Sequence, residues 1–114
     1  MTDLPDIAEH VAEHLLGYAT ARVTNDSYWK PGSGLVLKEH LVFDLTHPCG
    51  QAEIVAALNA VGLDVDASSK AKGVQIARIW SRHPGLPPVS WQNIGTDPGE
   101  TLLRAAYDCR EHWK

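Results

Sequence analysis

The segment that most restricts the fold is 74–80, VQIARIW, where apolar residues fall on both faces of an extended chain. Successive side chains of a strand point to opposite sides, so this pattern predicts a strand covered on both faces. Covering it takes helices with an apolar stripe, and the chain supplies three. The first is expected over 5–16, where Ile7, Ala8, Val11, Ala12, Leu15 and Leu16 fill one half of the wheel. Glu9 and Glu13 lie opposite, and His10 and His14 sit on the border beside Ile7. Pro5 suits the first turn, Asp3 and Asp6 favour the positive end of the helix dipole, and Gly17 fits just past the end.

The second helix is expected over 51–61, with Ile54, Leu58 and Val61 as its stripe and Gly62 as its stop. Ala56 and Ala60 lie on the far side with Glu53, which makes that face short-chained and weakly polar. The third helix has the strongest start. In Asp97-Pro98-Gly99-Glu100 the aspartate caps, the proline takes the first helical position and the glutamate the third. Leu102, Ala105, Ala106, Cys109 and Trp113 share one face of it, opposite Arg104, Asp108 and Glu111.

Between the helices, 41–45 (LVFDL) alternates like a half-buried strand, with the pairing of 35–37 left open. Residues 24–34 and 66–72 read as loops, 63–65 as a short strand, 83–88 as a turn and 89–94 as a returning strand. The order predicts an α+β fold: one small antiparallel sheet layered with three amphipathic helices, an α-β-α sandwich, with 1–114 as a single domain. A chain of 114 residues buries roughly 65% of its unfolded surface, enough for one core.

The formal net charge is −4 without a basic stripe, which argues against direct nucleic-acid binding. Cys49 and Cys109 are far apart and lack a C-x-x-C neighbour, as expected of free thiols in a cytoplasmic protein. No apolar run approaches the ~18 residues of a membrane span, and MTDLPDIAEH does not read as a signal peptide.

Residues 10–14, HVAEH, spell H-x-x-E-H, the pattern of inverted-motif zinc peptidases. On a helix His10 and His14 can share a metal, and Glu13 can polarise a bound water. A catalytic zinc needs a third ligand and an open position. His40, His47, Glu53, Asp108 and His112 are available, none at motif-like spacing. The stretch reads as a solvated helix edge, with a small metal-dependent hydrolase as the alternative. Cys49, ahead of the second helix and near His47, His40 and Asp44, is a candidate nucleophile that reads better as a packed junction residue. Cys109 reads as core.

Trp80 and Trp113 fall on expected core faces, and the face of Trp91 is not assigned. Tyr28 and Trp29, beside Lys30 in SYWKPG, form an aromatic pair that can stack on a partner or fold down over the core. The glycines of 32–34 lack the Gly-Lys-Ser/Thr ending of a phosphate loop.

Several of these stretches occur together in a known setting: Leu15-Leu16-Gly17-Tyr18 closing the first helix, GQAEIVAALNAVG in the middle, ARIW and VSWQNIG in the strands, and PGETLLRAAYDC in the last helix. The chain thus resembles the phage ABA sandwich domain family over about 7–109. It departs from that pattern at Pro98-Gly99-Glu100, where the family tends toward Ala-Pro-Glu, and at 66–72. The resemblance implies a sheet between helices and a phage or prophage origin, and it carries no catalytic residues. The expectation is a non-enzymatic accessory protein without a cofactor. It would act in the host cytoplasm by binding a host or defence-system protein, such as a restriction or CRISPR component. Its contact residues would be Tyr28, Trp29, Lys30, Glu53, Ala56 and Ala60. Self-association, for example as a homodimer, is the remaining alternative.

Overall fold

A computed structural model of the chain describes residues 3–20, 27–30, 34–69, 73–81 and 90–113. In chain order the elements are α1 (Leu4–His14), β1 (Ala19–Thr20), β2 (Ser27–Lys30), β3 (Gly34–Leu37), α2 (Leu41–Thr46), α3 (Pro48–Ala60), β4 (Leu63–Ser69), β5 (Gln75–Ser81), β6 (Ser90–Gly95) and α4 (Pro98–Asp108). The fold is α+β. Its strands form two antiparallel three-stranded sheets, β1-β2-β3 and β4-β5-β6.

Helix α4 is central. Asp97 accepts a hydrogen bond from the Glu100 N–H at 2.9 Å, and Pro98 occupies the first turn, as the sequence predicts. Thr101, Leu102, Leu103, Ala105 and Ala106 are buried, and the helix packs on α1, α2, α3, β5 and β6. After a single 3-10 turn at Arg110–His112, Trp113 folds back onto His10 of α1 with ring centroids 5.6 Å apart.

Residues 41–45 form a helix, not the expected strand. LVFDL satisfies two periods at once. Leu41, Phe43 and Leu45 alternate, while Leu41 and Leu45 also stand one helical turn apart. Leu41 and Leu45 are buried and Phe43 is 72% exposed, so the helical period wins. The end of α2 wedges between the starts of α3 and α4. A Cβ on Gly50 would meet the Asp44 carbonyl oxygen and lie 2.7 Å from Leu45 Cα. One on Gly99 would meet the Thr46 carbonyl oxygen and lie 2.6 Å from Thr46 Cα. Neither backbone can give way, so both positions require glycine.

Three further boundaries move. β2 and the first residue of β3 lie inside the stretch read as a loop. α3 begins at Pro48, three residues early, because His47 Nδ1 accepts the Cys49 N–H at 3.2 Å and caps the helix. β4 runs on to Ser69, pairing Asp66 with Arg78 and Ser69 with Gln75 through residues read as a loop. The turn expected at 83–88 lies outside the described residues.

The cover expected on both faces of 74–80 is present on one face only. Ala77 and Ile79 of β5 are buried on the side that meets α4. Ile76 and Trp80 on the opposite face are only half-buried, Arg78 between them is exposed, and Ile94, paired with Ile76, is 60% exposed. Two isoleucines and a tryptophan on this face of β5 and β6 do not demand a second covering layer when charged and amide groups stand among them, as Arg78 and Gln92 do here, joined by a hydrogen bond from Arg78 Nη2 to Gln92 Oε1 at 3.3 Å.

Candidate functional site

The Tyr28–Trp29–Lys30 run does not present one surface. It lies in β2, where alternation sends neighbours to opposite sides. Tyr28 is 1% exposed, and its hydroxyl lies 2.9 Å from Glu13 Oε1 and 3.2 Å from Glu9 Oε1, with one proton to donate between them. Burial, and then the Glu13 and Glu9 carboxylates, push the phenol above its ordinary range. Lys38 completes this inner cluster, 3.5 Å from Glu9 Oε1 and 5.6 Å above the Tyr28 ring.

Trp29 points the other way and is 54% exposed. Its direct cross-strand partners are Leu35 on β3 and Ala19 on β1. Leu35 is 53% and Leu37 42% exposed, and both share the Trp29 side of the sheet by register. Trp29, Leu35, Leu37 and Ala19 therefore form an outward apolar face on a sheet whose other side carries Tyr28. Leu35 and Leu37 were not singled out from sequence. The signal was present in the alternation of Leu35-Val36-Leu37, but it has no meaning until the register with Trp29 is known.

Lys30 joins a second feature. Its Nζ lies 2.7 Å from Glu53 Oε1 on α3, and Tyr18 donates to Glu53 Oε2 at 3.1 Å. These three line a groove of about 340 Å³ with Leu15, Leu16, Ala56 and Ala57. The hydrogen bond to Glu53 raises the Lys30 pKa, and burial followed by the Glu53 charge raises that of Tyr18. The weakly polar back of α3 thus contributes Glu53 and Ala56 to one wall, whereas Ala60 is exposed outside the groove. A neutralised carboxylate with small apolar neighbours can seat a side chain but offers no free nucleophile or base.

The HVAEH stretch is split as well. Glu13 is engaged by Tyr28, while His10 and His14 line a recess of about 290 Å³ with Arg110 and Trp113. Burial, His14 and Arg110 lower the His10 pKa, opposed by Glu13. No group of three or more His, Cys, Asp or Glu side chains among the described residues is placed to share a metal. Of the suggested third ligands, His47 caps α3, Glu53 is bound to Lys30, and His112 lies against Trp91 with centroids 4.8 Å apart.

Cys49 is exposed in the first turn of α3, where the nearby His47 ring accepts its backbone N–H. Cys109 is buried, donates to the Ala106 carbonyl at 3.1 Å, and has its thiol pushed up to about 11 by burial. No helix among the described residues is long and apolar enough to cross a membrane. Compared with protein-family models, with curated proteins and with solved structures, the chain matches none.

Proposed function

We propose that this chain is a non-enzymatic binding protein that engages a protein partner through the outer face of its first sheet. The supporting observation is the pairing of Trp29 with Leu35, both more than half exposed, next to Leu37. A folded chain gains nothing in stability from leaving a tryptophan and two leucines in water. Contiguous exposed apolar groups mark interaction surfaces, and tryptophan is an enriched anchor at protein interfaces. The non-enzymatic reading is supported by where the reactive groups go: Glu13 to Tyr28, His47 to a helix cap, Cys109 into the core.

The partner class follows from the resemblance to phage ABA sandwich proteins: a host or defence-system protein in the host cytoplasm, held as by an anti-defence inhibitor. The test is affinity capture from host lysate with the full chain and with a Trp29→Ala, Leu35→Ser double variant, followed by mass spectrometry. One protein is expected to be enriched by the parent chain and lost with the variant. Equal recovery by both chains contradicts the assigned surface. Concentration-dependent dimerisation of the parent chain alone, measured by light scattering, would turn the same face into a self-association surface.

A further inference from the structure

That reading leaves His10 and His14 unused. They stand one turn apart on α1, with imidazole centroids 4.5 Å apart and ring planes tilted by 44°. His10 is held in place, with Tyr107 meeting its ring edge-on at 5.3 Å and Trp113 lying at 5.6 Å. His14 is exposed and free to adjust across the recess they share. Two nitrogens at ~2.0–2.1 Å from one metal lie at most about 4 Å apart. The 4.5 Å centroid separation puts the two rings close enough for one nitrogen of each to reach a common ion.

We propose that His10 and His14 chelate one divalent transition-metal ion of the imidazole-preferring class, copper, nickel or zinc, with water completing its coordination. The i,i+4 spacing is the one that places two imidazoles on one helix face for a shared metal. Nitrogen ligands select these ions over magnesium and calcium, which take oxygen. His14 closes the last turn of α1, where the negative end of the helix dipole favours a cation. Arg110 opposes the ion, but its guanidinium is drawn over the Tyr107 ring at 4.2 Å and donates to the Tyr107 carbonyl at 3.1 Å. With Glu13 committed to Tyr28, the chelate has two protein ligands rather than the three of a hydrolytic zinc site. The site is therefore one for binding a metal and does not reinstate the hydrolase.

The test is titration of the tag-free full chain with copper(II) in a non-coordinating buffer, read by calorimetry, with zinc followed in parallel by NMR of the histidine ring protons. One equivalent of copper is expected to bind saturably, and zinc should shift the His10 and His14 ring signals together. His14→Ala should weaken binding at least about tenfold, because the second imidazole binds intramolecularly at high effective concentration. Arg110→Ala should tighten it several-fold by removing a nearby cation. Unchanged affinity in His14→Ala, or zinc shifts confined to other histidines, would overturn the chelate. Weaker metal binding in Arg110→Ala would overturn the electrostatic argument for a cation in this recess. His14 is exposed and its replacement is not expected to disturb folding, and the NMR arm on the parent chain decides the matter independently of any variant.

Discussion

Strands β2 and β5 are each the middle strand of an antiparallel sheet, and they meet the rest of the molecule differently. β5 lays Ala77 and Ile79 on α4, and both disappear from solvent. β2 buries a tyrosine whose hydroxyl has to be held by Glu9 and Glu13, and it leaves Trp29 outside. The second sheet is thus attached to the core by aliphatic packing, and the first by a polar clamp. Removing apolar volume should therefore be costly on the inner face of β5 and nearly free on the outer face of the first sheet, and the exposed aromatic there points to a use outside the folded chain.

The largest expected effect is at β5. Ile79→Ala should destabilise by about 3–4 kcal/mol, the cost of removing a fully buried aliphatic side chain and leaving a cavity, as read by urea unfolding. Leu35→Ala should cost no more than about 0.5 kcal/mol, the ordinary range for surface changes. Comparable costs at the two positions would break the contrast. Next is Gly99→Ala, expected to lose about 2–3 kcal/mol because the new methyl meets the Thr46 backbone. A neutral outcome would mean that α2 can slide off α4. Tyr28→Phe tests the polar clamp and should cost about 1.5 kcal/mol, because it removes a hydrogen bond to a charged group and leaves the Glu9 and Glu13 carboxylates beside an apolar ring. The smallest effect is with pH. The folded-state pKa of His10 lies below the 6.5 of an unperturbed imidazole. On acidification the unfolded chain takes up that proton first. The stabilisation is complete above 6.5 and is lost as the pH falls through the lowered value. In His10→Gln the slope of unfolding free energy against pH over this window should flatten.

What could be read beforehand followed from signals that are local and physical. The start of α4 was legible because Asp97, Pro98 and Glu100 each suit a single helical position. The stripes of α1 and α3 were found because apolar residues recur at helical spacing over about two turns or more. α2 was missed because five residues cannot separate two periods, and only the exposure of Phe43 decides between them. β2 was hidden among turn-forming residues because its stability comes from pairing with β3 and from Tyr28 reaching α1, contacts that no window of sequence contains. The candidate site shows the same limit. Trp29 stood out by type, Lys30 and Glu53 came together as a pair, and Leu35 and Leu37 acquired meaning only from the register across the hairpin.

The most direct measurement is the unfolding free energy of a Trp29→Ser, Leu35→Ser chain beside the parent chain. If the outer face of the first sheet faces a partner and not the core, the two values agree to within about 0.5 kcal/mol. A loss of more than about 2 kcal/mol, the scale of deleting buried apolar groups, would place those side chains in the interior and contradict the account.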